Sequence, residues 1–183
     1  GMWAIHNLTR LYAGDFSDLA VPGDYDGDST ADLAVFRQRS MMWAVNRVTR
    51  IYFGASDDQP AGADFTGDGG KDFAVFRRSS GMWAVRDVTR IYFGAAGDRV
   101  VPGDYDGDGS AEAGIFRPAS GLWSIRDTTR AYLGNSSDHP VPADYAGGGA
   151  DRIGIFRESS GLWSIQDLTR AYFGATGDIP VSR

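Results

Sequence analysis

Hydrophobic and polar positions alternate over short segments throughout this chain. In the segment 31–37 (Ala-Asp-Leu-Ala-Val-Phe-Arg), Leu33 and Val35 lie on one side of an extended backbone, and Ala34 and Phe36 lie on the other. Because both sides are apolar, the pattern predicts a short strand that is buried on both faces. No segment shows a convincing 3.6-residue period, so the pattern indicates an all-β protein.

Three more strands are predicted around this one. Met-Trp-Ala-Val at 42–45 is followed by Thr-Arg-Ile-Tyr-Phe-Gly at 49–54, in which Arg50 and Tyr52 share the more polar face. A shorter strand is predicted at 21–25, Val-Pro-Gly-Asp-Tyr. The links between the strands are short and rich in Ser, Gly, Asn and Asp, which is typical of tight turns.

The whole pattern recurs every 40 residues without an insertion. The clearest markers are the five tryptophans, Trp3, Trp43, Trp83, Trp123 and Trp163. The dipeptide Phe-Arg recurs in the same way, at 36–37, 76–77, 116–117 and 156–157. A repeat of about 40 residues with four short strands is typical of one blade of a β-propeller. A β-solenoid is the less favoured alternative, because solenoid coils are usually shorter.

The repeat divides the chain into four complete blades, at about 21–60, 61–100, 101–140 and 141–180. Residues 1–20 provide only the two outer strands of another blade, and residues 179–183 provide a candidate for its innermost strand. We therefore predict a single propeller domain with five blades, the last closed by both termini. The alternatives are a fragment of a longer array, or a ring completed by another chain. Self-association is expected if the ring is incomplete, because an open propeller exposes apolar blade faces.

An acidic loop separates the first two predicted strands of each repeat. In the first loop, carboxylates stand at positions 1, 3, 5 and 9, and the backbone carbonyl of position 7 is a fifth candidate ligand; these residues are Asp24, Asp26, Asp28, Asp32 and Thr30. Ca²⁺ takes six to eight oxygen ligands, which gives a physical reason to gather like charges so closely. The loop differs from an EF-hand because position 12 is Val35, within a predicted buried strand.

The remaining loops depart from the first to different extents. The second has a hydroxyl at position 3 and should bind more weakly; its candidates are Asp64, Thr66, Asp68, Gly70 and Asp72. The third is fully acidic, with candidates Asp104, Asp106, Asp108, Ser110 and Glu112. The fourth, 144–152, keeps Asp144, and its Asp151 is one residue out of register, so we predict that it is metal-free. Plain Asp/Gly turns are the alternative, but three loops in register favour about three Ca²⁺ sites.

Several motifs resemble the FG-GAP/VCBS repeat superfamily, which includes the blades of integrin α-subunits. They are Val-Pro-Gly-Asp-Tyr-Asp-Gly-Asp-Gly at 101–109, Phe-Gly-Ala at 53–55, 93–95 and 173–175, and Ala-Val-Phe-Arg at 34–37 and 74–77. The resemblance implies a propeller with calcium in the loop between the first two strands of a blade. It also implies an extracellular or cell-surface binding module, since many members are bacterial and some related propellers are lectins. Family members usually have seven blades, which this chain cannot supply.

Two repeated residue types are candidates for ligand binding. The five tryptophans could stack on sugars, although packing between blades is the favoured interpretation because a Trp buries a large area. The arginines of the Thr-Arg dipeptides could bind carboxylates or sugar hydroxyls; they are Arg10, Arg50, Arg90, Arg130 and Arg170. We favour ion pairs between these arginines and the aspartates in register with them, which are Asp18, Asp58, Asp98, Asp138 and Asp178.

Composition narrows the function further. The 183 residues carry a formal charge of −6, which argues against a nucleic-acid partner. No apolar run is long enough for membrane insertion, and no signal peptide is visible at the N-terminus. Cysteine is absent, only two histidines occur, and no catalytic motif is present, so we predict a protein that is not an enzyme.

These features together predict a calcium-binding propeller that is secreted or displayed at the cell surface and binds a glycan or a protein. A structural repeat segment of a larger surface protein, with no ligand but calcium, is the alternative. A hydrolase with its active site in the central channel is less favoured.

Overall fold

The computed structural model describes residues 2–5, 9–12, 14–178 and 180, with backbone alone for 2–5 and 9–12. Within these residues it consists of short antiparallel strands joined by turns. An N-terminal two-stranded sheet, β1 (Met2–Ile5) and β2 (Thr9–Tyr12), precedes four sheets of four strands each. The four sheets are arranged as the blades of a β-propeller.

Each blade is a meander in which consecutive strands pair. The first strands of the blades are β3 (Leu19–Ala20), β7 (Asp58–Pro60), β11 (Arg99–Val100) and β15 (Asp138–Pro140). The second strands are β4 (Ala34–Arg37), β8 (Ala74–Arg77), β12 (Gly114–Arg117) and β16 (Gly154–Arg157). The third strands are β5 (Met42–Val45), β9 (Met82–Val85), β13 (Leu122–Ile125) and β17 (Leu162–Ile165). The fourth strands are β6 (Thr49–Tyr52), β10 (Thr89–Tyr92), β14 (Thr129–Tyr132) and β18 (Thr169–Tyr172).

The all-β propeller is confirmed, but the prediction of five blades is wrong. The described residues form four complete blades, and the N-terminal segment forms only the two-stranded sheet β1–β2. β1 and β2 are in register with the third and fourth strands of a blade, and among the described residues they pair only with each other, so they do not form a fifth blade. The closing strand predicted at 179–183 lies outside the described residues, apart from Pro180.

The first strand of each blade differs most from its predicted bounds. The segment predicted as a strand at 21–25 follows β3; Val21 donates its N–H to the Ala34 carbonyl at 2.9 Å, and beyond Pro22 the pairing continues as the isolated bridge between Gly23 and Asp32. Pro22 accounts for this difference, because it lacks the N–H that would continue the ladder. The first strands of all four blades surround a central cavity of about 280 Å³.

The core lies between neighbouring blades. Phe76 and Trp83 of the second blade are fully buried and pack against Ala113 and Ile115 of the third. The Trp83 indole N–H also donates a hydrogen bond to the carbonyl of Phe93, at 2.9 Å. The other two junctions repeat this packing around Phe36 and Trp43, and around Phe116 and Trp123.

A glycine after the fourth strand allows each of the first three blades to approach the next one. Gly94 has φ of 101°, in the region that favours glycine, and a Cβ placed there would lie 3.0 Å from the Ile115 side chain. Gly54 and Gly134 occupy the same position at the other junctions. The repeated glycine of the Phe-Gly-Ala motif therefore has a structural reason, which is close packing on the next blade.

In each blade, an aspartate with a buried carboxylate, at or just before the start of the first strand, forms an ion pair with the partly exposed arginine that ends the second strand. Arg77 donates two hydrogen bonds to the Asp58 carboxylate, at 2.8 and 3.1 Å, and the Ala55 N–H donates another at 2.7 Å. The corresponding pairs are Arg37–Asp18, Arg117–Asp98 and Arg157–Asp138. The predicted pairing of these aspartates with Arg50 and its equivalents is therefore wrong. Asp58 lies directly opposite Arg77 on the adjacent strand, whereas the Thr-Arg arginines lie on the fourth strands.

The Asp58 carboxylate should be essential for stability. Asp58→Asn removes the charge from a site with no solvent exposure and leaves Arg77 with only the more distant Asp57 carboxylate, 3.8 Å away, so we expect a loss of about 3 kcal/mol in the free energy of unfolding. Asp87→Asn is the matched control, since Asp87 pairs with Arg86 at the surface and should change stability by less than about 0.5 kcal/mol. Urea denaturation of both variants measures the difference, and equal stabilities would contradict a structural role for the buried pair.

Candidate functional site

The acidic loops connect the first and second strands of the blades. In the third loop, the Asp104 carboxylate accepts hydrogen bonds from the N–H groups of Gly107 and Gly109, at 2.6 and 2.9 Å. The Glu112 carboxylate accepts one from Tyr105 at 2.8 Å. The carboxylates at positions 1 and 9 therefore shape the loop, and Gly107, with φ of 79°, allows its sharp turn.

Two of the loops bring several carboxylates together. In the third loop, one oxygen from each of Asp104, Asp106, Asp108 and Glu112 lies within 4.8 Å of the others. The first loop gathers Asp24, Asp26 and Asp28 in the same way. Asp32 stands apart from that group, and its carboxylate accepts the Tyr25 N–H at 2.9 Å. Such oxygen-only clusters have the chemistry that a hard divalent cation requires.

The second and fourth loops have the same backbone turn with fewer converging carboxylates. Asp64 accepts hydrogen bonds from three backbone N–H groups, and Asp72 accepts the Phe65 N–H at 2.8 Å. In the fourth loop, Asp144 accepts the N–H groups of Gly148 and Gly149. The first aspartate therefore holds the turn even where the other carboxylates are missing.

The positions predicted to contribute backbone carbonyls also lie within the turns. Thr30 and Ser110 each donate an N–H to the carboxylate two residues earlier, Asp28 and Asp108 respectively, at 2.7 and 2.8 Å. Gly70 donates in the same way to Asp68 at 2.8 Å. The Thr66 hydroxyl lies 3.3 Å from the Asp72 carboxylate and donates a hydrogen bond to it.

Crowding of charge shows in the third loop. Burial raises the pKa of Glu112, and the neighbouring carboxylates of Asp106, Asp104 and Asp108 raise it further. At Asp144 the balance is reversed, since the Gly149 N–H and other backbone donors lower its pKa. The ionised form of Glu112 is therefore disfavoured in the folded protein when no cation is bound.

Each loop also forms part of the junction between blades. The Asp104 carbonyl accepts the Asp151 N–H of the next blade, and Asp24 and Asp64 accept in the same way from Lys71 and Ala111. Asp151 therefore lies at the blade junction, where burial and the nearby Asp104 raise its pKa to about 6. Asp151 is thus equivalent to Lys71 and Ala111, at position 8 of their loops, and not to the carboxylates at position 9.

The tryptophans do not present a ligand-binding surface. Trp43, Trp83 and Trp123 are 0% exposed, and Trp163 is half-buried, so the favoured packing role applies and their candidacy as ligand-binding residues is corrected. The side chains of Trp3 and Arg10 lie outside the described residues. Burial between blades is the physical reason, because the indoles of Trp43, Trp83 and Trp123 are each covered by the following sheet.

Tyrosines at the ends of the fourth strands are the exposed aromatics that the sequence reasoning missed. Tyr52, Tyr92, Tyr132 and Tyr172 are 73–75% exposed. They share the outward face of their strands with the exposed side chains of Arg50, Arg90, Arg130 and Arg170. The available signal was strand alternation, which places an arginine and a tyrosine two residues apart on one face.

Comparisons with known proteins do not add a family. The chain matches no protein-family model, no curated protein and no solved structure. Within the described part of the chain, no helix has the length and hydropathy needed to span a membrane. The resemblance to FG-GAP/VCBS repeats therefore stays a prediction from the motifs.

The raised pKa of Glu112 predicts that the metal-free protein loses folding stability as the pH rises. A carboxyl group whose folded pKa is raised stabilises the fold below its unfolded pKa, and this contribution is lost as the pH rises through the folded value. Glu112→Gln keeps an oxygen that can accept the Tyr105 N–H. In EGTA, the melting temperature of this variant should therefore be higher than that of the unchanged protein at pH 7 and equal to it at pH 4. Thermal melts at the two pH values measure this, with the surface variant Asp127→Asn as control. A Glu112→Gln variant that is no more stable at pH 7 would contradict charge crowding.

Proposed function

We propose that this protein is a calcium-binding β-propeller repeat protein. The observation that carries the proposal is the convergence of four carboxylates, Asp104, Asp106, Asp108 and Glu112, in one nine-residue loop. Four negative charges at this spacing repel one another, and a bound dication removes that cost. The similar group in the first loop supports the same chemistry.

Calcium fits this donor set better than magnesium does. Ca²⁺ accepts irregular sets of six to eight oxygen ligands at 2.3–2.6 Å, whereas Mg²⁺ requires near-ideal octahedral geometry and keeps much of its water. Short aspartate side chains and backbone carbonyls on a Gly-rich turn supply the irregular set. We propose the first and third loops as the stronger sites and the second as a weaker one, because Thr66 replaces a carboxylate there.

The proposed role of the calcium-bound propeller is to bind a glycan or a protein outside the cell or at its surface. The exposed tyrosine and arginine side chains, repeated on every blade, support a binding role rather than a catalytic one. The acidic clusters recur with the repeat, whereas an active site normally occurs once. Extracellular calcium modules bind with dissociation constants of about 10⁻⁴ to 10⁻³ M, and we expect the same range here.

Calcium should raise the melting temperature of the protein. A cation that binds only the folded state stabilises it by roughly 2.7 kcal/mol per site at a hundredfold excess over Kd. Thermal melts in EGTA, in millimolar calcium and in millimolar magnesium measure the effect, and we expect a shift that is specific to calcium.

Charge-only variants connect that shift to the third loop. Asp106→Asn combined with Asp108→Asn keeps the side-chain oxygens that accept the N–H groups of Asp108 and Ser110, but removes two charges. The calcium shift should fall by about one site's contribution, while Asp167→Asn, outside the loops, should leave it unchanged. Unchanged melting in calcium, together with no metal in the purified protein, would overturn the proposal.

A further inference from the structure

Open grooves lie between neighbouring blades, on the opposite side from the acidic loops. The groove between the first and second blades has a volume of about 380 Å³ and is lined by Tyr52, Arg77 and Arg90 among others. The groove between the second and third blades, of about 390 Å³, has Tyr92, Arg117 and Arg130 in the same places. Because the strands are antiparallel, these grooves, near the ends of the fourth strands, lie at the opposite end of each blade from the acidic loops.

Each groove contains one cation that is not neutralised. Arg77 and Arg117 bind the buried carboxylates of Asp58 and Asp98. The guanidinium groups of Arg90 and Arg130 are exposed and form no hydrogen bond or ion pair with any residue that the structure describes. Each groove therefore offers an open guanidinium beside an exposed aromatic ring, in a protein whose overall charge is −6.

Repetition within the chain separates these residues from ordinary surface positions. Arginine stands at 50, 90, 130 and 170 and tyrosine at 52, 92, 132 and 172, without exception. Another exposed position differs between the blades, with Asn46, Arg86 and Arg126 in register. Packing explains identical residues in the core, where every junction has the same shape. It does not explain identical side chains that are mostly exposed to solvent.

We propose that the grooves between blades bind the uronic-acid units of an acidic polysaccharide. A guanidinium binds a carboxylate through paired, charge-assisted hydrogen bonds. An exposed tyrosine ring offers an apolar face to the C–H groups of a sugar and a hydroxyl to its polar edge. A polymer that carries many carboxylates can occupy equivalent grooves on successive blades at once, and linked weak sites gain strength through effective concentration.

The proposal names the ligand class for the binding role proposed above, and it rests on that role but not on calcium. The grooves and the acidic loops lie at opposite ends of strands that are four residues long, about 13 Å. A failure of calcium binding would leave the groove residues unchanged. Measuring sugar binding in calcium and in EGTA separates the two proposals.

The full chain is titrated with D-galacturonate, its dimer and neutral D-galactose. Binding is measured by calorimetry or by amide NMR shifts. We expect saturable binding of galacturonate and of its dimer, and no binding of galactose at the same concentrations. Acetate is included as a simple carboxylate. Equal affinity for acetate and galacturonate would show a site for any anion and would overturn the proposal.

Variants locate the binding in the grooves. Arg90→Gln combined with Arg130→Gln should weaken galacturonate binding about tenfold, which corresponds to the loss of one charge-assisted interaction at each site. Tyr52→Ser combined with Tyr92→Ser should weaken galacturonate binding and leave its dependence on salt concentration unchanged. Arg86→Gln is the matched control, because Arg86 is an exposed arginine that pairs with Asp87. Equal weakening by Arg86→Gln, or none by the double arginine variant, would overturn the proposal, provided that circular dichroism shows folded protein.

Discussion

The structure depends on one constraint, which is that a four-residue strand cannot bury an aromatic side chain by itself. The Trp on a sheet becomes fully buried only where the next sheet covers it, as Ala113 and Ile115 cover Trp83, whereas Trp163 of the last blade is only half-buried. The last blade shows what a neighbour contributes. Phe173 stands in the repeat position of Phe93, which is partly buried, yet Phe173 is 78% exposed. Each of the first three blades therefore depends on the following blade for the complete burial of its tryptophan.

The acidic loop belongs to the same junction. Because the Asp104 carbonyl accepts the Asp151 N–H, the residue that begins the loop is fixed by the following blade. The side chains at this contact are matched in size. Gly103 faces Asp151 and Gly23 faces Lys71, where a Cβ on either glycine would collide with the longer side chain, whereas Ala63 stands at the junction with Ala111. A cation that orders the loop would thus also stabilise the contact between two blades.

Strands and buried faces could be predicted because strand alternation and a 40-residue period are properties of the sequence alone. The third strand, Met42–Val45, has the predicted bounds, and Ala34, Val35 and Phe36 are buried as expected. The ion pairs could not be predicted, because two sets of arginines have the same period as the aspartates. Only the strand register, which places Asp58 opposite Arg77, distinguishes them. The exposed tyrosines were missed because they recur with the same 40-residue period as the buried residues, so the repeat alone does not distinguish surface positions from core positions.

The two proposed sites have opposite charge and are connected through the blade junctions. Carboxylates converge at one end of the blades, and unpaired guanidinium groups lie in grooves towards the other. Each groove is formed by two blades, so its width depends on the packing that the loop at the same junction helps to fix. The affinity of one groove for one sugar unit should depend mainly on its own arginine and tyrosine. Avidity for a polymer depends instead on the spacing between grooves. Ordered acidic loops would help to fix this spacing, because they lie at the same junctions.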